Sequence, residues 1–293
     1  TREGNRFFMS TDATDNSYFI DVENASEMAR LIQLDMAVTE AMGGALTEQA
    51  DPSSFTQLLD IGCGPGSWVL SVAHTYPKVE VAGIDISPTM ITYANARARS
   101  QGLNNASFQV MDATQPLDFS DHTFDFINER LFSGAIYRDA WPALLRECFR
   151  IARPGGVLRL TEIDSGGTTT SKAFQDFSDY LAKGMQLAGY GFSPDGRANC
   201  VTPMLSTLLR DAGFQHIQIR PYVIDFSAGA PAHMAVYRNA EIFMHVIQPF
   251  LVALNVAKQE ELAQLMQQAL LDMHQDDFKG LWYLLTAWGE KPM

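Results

Sequence analysis

The sequence of 293 residues has little cysteine and no long apolar run. Its three cysteines, Cys63, Cys148 and Cys200, lie far apart, which is not the pattern of a disulfide framework or of a zinc site. No segment reaches the roughly 18 consecutive apolar residues of a membrane-spanning helix. We therefore expect a cytoplasmic protein that has no bound metal and does not associate with a membrane.

Basic residues are also scarce. The chain has 21 Lys and Arg against 34 Asp and Glu, a formal net charge of −13, and no cluster of positive charge. A nucleic-acid partner requires cations that neutralise its phosphates, so this balance argues against DNA or RNA as a partner. The 46% of hydrophobic residues is enough for a sizeable core and argues against disorder. We expect a small-molecule substrate, and a monomer or a homodimer.

Short apolar runs alternate with helical patterns between residues 57 and 163. This alternation predicts a doubly wound α/β fold, with a mostly parallel sheet and helices on both faces. Within the pattern, Arg153-Pro154-Gly155-Gly156 is predicted to be a loop that follows a helix. In the second half, helical patterns predict one helix over Ala232–Val256, and Leu281–Trp288 is predicted to be the last strand.

The order of these elements predicts a division of the chain. Residues 1–51 are expected to form an N-terminal helical cover. Residues 52–226 are expected to form the α/β core, with a helical insertion at about 165–201. Residues 227–278 are expected to be a helical lid, and residues 279–293 to hold the final strand of the core.

A glycine-rich loop gives the strongest local signal. Leu58-Leu59-Asp60-Ile61-Gly62-Cys63-Gly64-Pro65-Gly66 leads from a predicted strand directly into a predicted helix. Glycines permit a sharp turn and a close approach of a ligand to the backbone, and the helix N-terminus offers free N–H groups. The spacing differs from the G-x-G-x-x-G of dinucleotide sites, and Asp60 before the loop suits an ammonium group better than a diphosphate.

Two further acids stand at the ends of predicted strands. Asp85 comes about 20 residues after the loop, where a carboxylate commonly accepts hydrogen bonds from ribose hydroxyls. A helix cap is the alternative interpretation of Asp85. Asp112 follows the third strand, where it is able to accept the exocyclic amine of adenine. A solvated loop aspartate is the alternative there.

Taken in order, these pieces resemble the class I S-adenosylmethionine-dependent methyltransferases. The matching segments are Asp60–Gly66, Gly83–Ser87, Met111–Ala113, Phe124–Asn128 and Arg146–Gly156. The resemblance implies a seven-stranded sheet with an antiparallel last strand, and S-adenosylmethionine as cofactor.

The resemblance also implies roles for individual residues. The backbone of Gly62, Cys63 and Gly64 is expected to approach the methionine part of the cofactor, and Asp60 to help to hold its amino group. Asp85 is expected to bind the ribose, and Ile86 to pack on the adenine. The segment Met111, Asp112 and Ala113 is expected to bind the adenine edge. The Asn128 carbonyl is expected near the methionine ammonium, and Tyr18 is expected to fold over the cofactor.

Two residues are candidates for the catalytic base. Glu129 follows the fourth strand, where it can act as a general base or bind an amine; an ion pair with Arg130 or Arg138 is the alternative. His245 on the predicted lid is a second candidate base, although a lone helical histidine is more often structural.

The sequence therefore predicts methyl transfer to an O, N or C atom of a small metabolite. Large apolar residues in the predicted lid favour an apolar or aromatic substrate, although packing explains most of them. The alternatives are an inactive cofactor-binding regulatory or scaffold protein and, less in keeping with the loop spacing, a nicotinamide-dependent oxidoreductase.

Overall fold

The computed structural model of the chain describes residues 25–293. In this part of the chain, eight strands form one sheet. They are β1 (Gln57–Ile61), β2 (Glu80–Asp85), β3 (Ala106–Val110), β4 (Phe124–Arg130), β5 (Ala152–Ile163), β6 (Thr168–Thr169), β7 (Gln215–Asp225) and β8 (Gly280–Glu290).

The strand order is β3-β2-β1-β4-β5-β8, with β7 on the other edge of β8. Strands β1 to β5 are parallel, whereas β8 is antiparallel to both β5 and β7. The two-residue strand β6 pairs with the start of β8. The predicted doubly wound α/β class and the antiparallel last strand are thus confirmed. The chain order reverses between β1 and β4, and ligands in such sheets bind beyond the carboxyl ends of the strands at that point.

Helices cover both faces and one end of the sheet. They are α1 (Ala25–Ala41), α2 (Ser67–Thr75), α3 (Pro88–Gln101), α4 (Trp141–Ile151), α5 (Lys172–Leu187), α6 (Leu205–Asp211), α7 (His233–Val246), α8 (Gln248–Ala253) and α9 (Gln259–Met273). Local chemistry sets their ends. The Ser87 side chain caps α3 by accepting the Met90 N–H at 3.2 Å, and Gly102 ends that helix in the left-handed conformation.

The apolar core lies in three clusters. Helices α2 and α3 bury Val69, Val72 and Ala94 against one face of β1 and β2. Helices α4 and α6 bury Trp141 and Leu209 against the other face. The third cluster joins α1, α5 and α7–α9 to the ends of β7 and β8, so that these helices form a layer of their own. No helix in residues 25–293 is long and apolar enough to cross a membrane.

Two sequence predictions are wrong in their boundaries. Strand β5 begins at Ala152 and includes the segment Arg153-Pro154-Gly155-Gly156 that the sequence predicts to be a loop, because this segment exchanges backbone hydrogen bonds of 2.8 Å with Lys291 at Gly155 and Gly156. The single helix predicted over Ala232–Val256 is two helices, α7 and α8, separated at Ile247. Pro249 has no N–H to donate and lies in the first turn of α8, where this defect costs nothing.

We expect Gly66→Ala to destabilise the fold by more than a left-handed backbone alone explains. Gly66 has φ +79°, and a Cβ there would lie 2.6 Å from the Phe108 ring. The left-handed backbone lowers the free energy of unfolding of the alanine variant by about 1 kcal/mol, and overpacking against Phe108 lowers it by about 1–3 kcal/mol more. Gly102→Ala is the matched control, because its φ is +68° and nothing lies within 4 Å of its Cβ. Urea unfolding measures both losses; equal losses would contradict this account.

Candidate functional site

A cavity of about 330 Å³ lies beyond the carboxyl ends of the parallel strands. The loops after β1, β2, β3, β4 and β5 form its floor, and side chains of α1, α5 and α7 form its roof. The sequence elements expected to hold the cofactor and those expected to cover the sheet therefore meet at one cavity.

The glycine loop forms one wall of this cavity. Gly62, Gly64 and Gly66 all have positive φ, of 68°, 50° and 79°, and the Cys63 N–H donates to the Ile84 carbonyl at 2.9 Å. A Cβ on Gly62 would lie 2.7 Å from the Phe132 ring, so the ring packs directly on the loop backbone. The loop conformation thus requires glycine and leaves its backbone, at Gly62, Cys63 and Gly64, on the cavity surface.

Asp85, at the end of β2, holds the glycine loop in place. Its carboxylate accepts the Gly64 N–H at 2.9 Å and the Ser87 N–H at 2.9 Å, while the side chain lines the cavity. Burial raises the pKa of Asp85, and these backbone hydrogen bonds oppose that rise. One carboxylate therefore joins the loop after β1 to the start of α3, beside the cavity.

The loop after β3 completes this side. Met111, Asp112 and Ala113 line the cavity together with Ile86. Asp112 Oδ1 accepts both the N–H and the hydroxyl of Thr114, at 2.8 and 2.7 Å, which fixes the direction of the carboxylate. The residues singled out after β1, β2 and β3 are thus brought together on one wall.

Asp60 and Asn128 lie beneath that wall and not on it. The Asn128 amide donates to Asp60 Oδ1 at 2.6 Å and accepts from the Arg159 guanidinium at 2.9 and 2.7 Å. Arg159 continues the chain of contacts by donating to Glu48 at 2.8 Å. Burial raises the pKa of Asp60 to about 7, against the lowering by Arg130 and Asn128. The side chains of Asp60, Asn128 and Arg159 thus form a buried support under the glycine loop.

The structure separates the two candidate catalytic groups from the cavity surface. Glu129 is buried behind Leu131–Ser133 and does not line the cavity, whereas Glu162 of β5 does. His245 lies on the exposed face of α7, away from the cavity lining. Tyr18 lies outside the described residues. Asp35 of α1 forms an ion pair with Arg130, and both line the cavity.

Sequence reasoning missed several residues of the site. Arg159 and Glu162 are buried charges within one strand, and this was a visible signal, because charges inside an otherwise apolar strand need partners. Arg30 and Asn239 had no such signal. They line the cavity and meet through a 2.8 Å hydrogen bond although they are 209 residues apart.

Comparison with known proteins agrees with this geometry. Residues 58–156 match a family model described as a methyltransferase domain. Methyltransferase pytC of Aspergillus terreus is 32% identical over 167 residues, which are 55% of this chain and 46% of the relative. Demethylmenaquinone methyltransferase of Bacillus cytotoxicus is 25% identical over 64% of this chain and 80% of the relative.

Solved structures share the fold. Phosphoethanolamine N-methyltransferase 2 of Haemonchus contortus, solved in complex with S-adenosylhomocysteine and phosphomonomethylethanolamine, is 19% identical, with a TM-score of 0.53 over 87% of this chain and 52% of that one. The YcgJ protein from Bacillus subtilis has a TM-score of 0.56 at 16% identity, over 87% of this chain and 99% of that one.

The fold, the glycine loop and the matched domain point to the same class of enzyme. Residues 58–156 match the methyltransferase domain, and the sheet shares the fold of a solved methyltransferase; both findings support the class I S-adenosylmethionine-dependent methyltransferase that the sequence predicts. The chain spans about half the length of the pytC relative. The wall made by Gly62–Gly64, Asp85 and Asp112 fits S-adenosylmethionine, the cofactor that the sequence predicts, because it offers a backbone cradle beside fixed carboxylates.

Proposed function

We propose that this protein transfers a methyl group from S-adenosylmethionine to a small, apolar or aromatic metabolite. The observation that carries the proposal is the continuation of the cavity past the glycine loop. There, beneath α1, α5 and α7, its lining is largely apolar: Leu34, Val38, Ile163, Leu181, Met185, Phe243 and Trp282. Pockets of this kind bind ligands chiefly by burying their apolar surface.

We assign the wall formed by the loops after β1, β2 and β3 to the cofactor. S-adenosylmethionine supplies an electrophilic methyl group when it is bound. The backbone at Gly62–Gly64 holds the methionine part, and Asp85 accepts hydrogen bonds from the ribose hydroxyls. Ile86 packs on the adenine ring, which Met111, Asp112 and Ala113 border. Asp60 and Asn128 act from beneath by fixing the loop.

Charge in the cavity disfavours a phosphorylated substrate. A phosphate monoester binds where several cations face it. Among the described lining residues the cationic side chains are Arg30 and Arg130, and each is ion-paired, with Glu27 and Asp35. The surrounding acids, Asp85, Asp112 and Glu162, add negative charge. An uncharged or cationic acceptor therefore fits better than phosphoethanolamine, the substrate named in one group of relatives.

The alternatives predict other ligands. A nicotinamide-dependent oxidoreductase needs a diphosphate on its glycine loop, but the glycine spacing here differs from G-x-G-x-x-G and Asp60 lies beneath the loop. A regulatory or scaffold protein would bind the cofactor without an acceptor, and the apolar half of the cavity would then have no use. Measurements of ligand binding and of methyl transfer distinguish both alternatives from a methyltransferase.

We expect isothermal titration calorimetry to detect binding of S-adenosylhomocysteine to the protein, and no binding of NADH. Transfer from methyl-labelled S-adenosylmethionine is then expected with a panel of phenols, quinols and aromatic amines, but not with phosphoethanolamine. Mass spectrometry of the labelled product identifies the O, N or C acceptor. Folded protein that takes up no S-adenosylhomocysteine would overturn the proposal. Binding without transfer to any acceptor would favour the regulatory alternative.

A further inference from the structure

Two carboxyl groups meet in the interior beside the cavity. Glu129 at the end of β4 and Glu162 at the end of β5 have exposed fractions of 1% and 0%. Burial, followed by the charge of Glu162, raises the pKa of Glu129 well above its ordinary value. Burial raises the pKa of Glu162 to about 7, although hydrogen bonds from Ser133 and Glu129 lower it. Two buried carboxylates in contact cannot both keep a charge, so the pair holds a proton near neutral pH.

The hydrogen bonds indicate where this proton lies. Glu162 accepts the N–H groups of Phe132 and Ser133 at 2.7 and 2.8 Å, and the Ser133 hydroxyl at 2.8 Å. It is therefore solvated as a carboxylate. Glu129 Oε1 accepts the Phe132 N–H at 3.0 Å, whereas its buried Oε2 meets no donor among residues 25–293. Such an oxygen is satisfied as a hydroxyl that donates to Glu162, which places the proton on Glu129.

The two carboxyl groups hold the loop that follows β4. Residues 131–135 all line the cavity, and Leu131 has a positive φ of 55°, a conformation that a leucine adopts only when its surroundings impose it. Both carboxyl groups hold this loop through the Phe132 N–H. The Phe132 ring in turn packs on the Gly62 backbone. It lies so close that a Cβ added to Gly62 would be 2.7 Å from the ring.

Other titratable groups face the pair from two sides. Asp60 on β1 opposes ionisation of Glu129. The buried Cys148 thiol on α4 is close enough that Glu129 raises its pKa further. Within residues 25–293 neither glutamate forms an ion pair with a cationic side chain, so a shared proton is the means of neutralisation that the site offers.

We propose that the Glu129–Glu162 pair, through one shared proton, positions Phe132 against the glycine loop and so sets the affinity for the cofactor. Glu129 is then a positioning residue, in place of the general base expected from the sequence. Loss of the proton puts two charges side by side, drives the carboxylates apart and releases the Phe132 N–H. This inference rests on the proposed function, because it assigns the glycine loop to the cofactor.

The test is the pH profile of S-adenosylhomocysteine affinity, measured by calorimetry between about pH 6.5 and about pH 9. In the wild-type protein we expect affinity to fall about tenfold relative to Glu129→Gln as the pH rises, since the pair loses its proton. In Glu129→Gln the amide donates to Glu162 at every pH, so this fall is absent. The amino group of the ligand titrates equally in both proteins and cancels in the comparison.

Two further variants sharpen the test. Glu162→Gln removes the carboxylate that accepts the loop N–H groups, and we expect weaker affinity already at the lowest pH. Glu147→Gln is the matched control, because Glu147 also accepts a loop N–H, from Leu117 at 2.9 Å, but does not line the cavity. Its profile is expected to follow the wild type.

The outcomes separate the two proposals. Wild-type protein that binds S-adenosylhomocysteine with the same pH profile as Glu129→Gln overturns the positioning role and leaves the proposed function standing. Folded wild-type protein that binds no S-adenosylhomocysteine at any pH overturns the proposed function and this inference together. A fall confined to the wild type and the Glu147→Gln control supports the inference.

Discussion

Replacing Asp85 by alanine is expected to weaken S-adenosylhomocysteine binding about 100-fold or more. The Asp85 carboxylate holds the N–H groups of Gly64 and Ser87, and it faces the cavity where the proposed function places the ribose. Hydrogen bonds to a charged group contribute about 1.5–3 kcal/mol each, and 100-fold corresponds to about 2.7 kcal/mol. Calorimetry at fixed pH measures the change.

Asp125→Ala is the matched control for this prediction. Asp125 also accepts two backbone N–H groups, from Thr56 and Gln57 at 2.7 and 2.9 Å, and it pairs with Arg153. It lies near the start of β4, at the opposite end of the sheet from the cavity. We expect Asp125→Ala to lower the stability of the protein and to leave its affinity for S-adenosylhomocysteine within about twofold. Equal losses of affinity in both variants would show that Asp85 acts only through folding.

Replacing Arg159 by methionine is expected to lower the free energy of unfolding by about 3–5 kcal/mol. The side chains of Arg159 and Glu48 are both fully buried and lie 2.8 Å apart. The Arg159 guanidinium also lies over the rings of Trp68 and Phe126, 5.7 and 5.3 Å from their centroids. Removing the arginine leaves Glu48 as a buried charge without its counterion, and this causes most of the loss. Urea unfolding at neutral pH measures it.

The double variant Arg159→Met with Glu48→Gln tests the reason for this loss. The double variant also removes the charge of the buried Glu48, so we expect it to recover part of the free energy of unfolding. Lys172→Met is the surface control, because Lys172 and Asp176 form an ion pair in which Lys172 is 86% exposed; we expect a change below about 0.5 kcal/mol. A loss in Arg159→Met no greater than in this control would refute the account.

The sequence was sufficient for the parts of the site that depend on local backbone chemistry. Glycines at alternate positions after an apolar strand predict the loop at Gly62–Gly66, and the acids at the end of β2 and just after β3 predict where Asp85 and Asp112 lie. The carboxyl ends of parallel strands meet at one edge, so residues found by their position relative to strands are brought together without further information.

Side-chain direction and long-range partners could not be predicted in this way. Asp60 and Asn128 stand at the expected places in their strands, but their side chains point to each other beneath the loop because Arg159 offers a buried partner. The Glu129 side chain likewise lies in the interior, where it shares the Phe132 N–H with Glu162. The sequence did not indicate which face of the helix that carries His245 is buried, and His245 lies on the exposed face.

The position of β8 has a consequence for how the molecule is assembled. This strand lies between β5 and β7, and Thr161 meets Thr286 across 125 residues of chain. The five parallel strands come from the first part of the chain and can associate early. Closing the sheet, in contrast, requires a connection from β5 to β8 that includes α5 and α7–α9, and such distant pairing is slow. A chain interrupted before Gly280 leaves two unpaired strand edges, at β5 and β7, that are open to self-association.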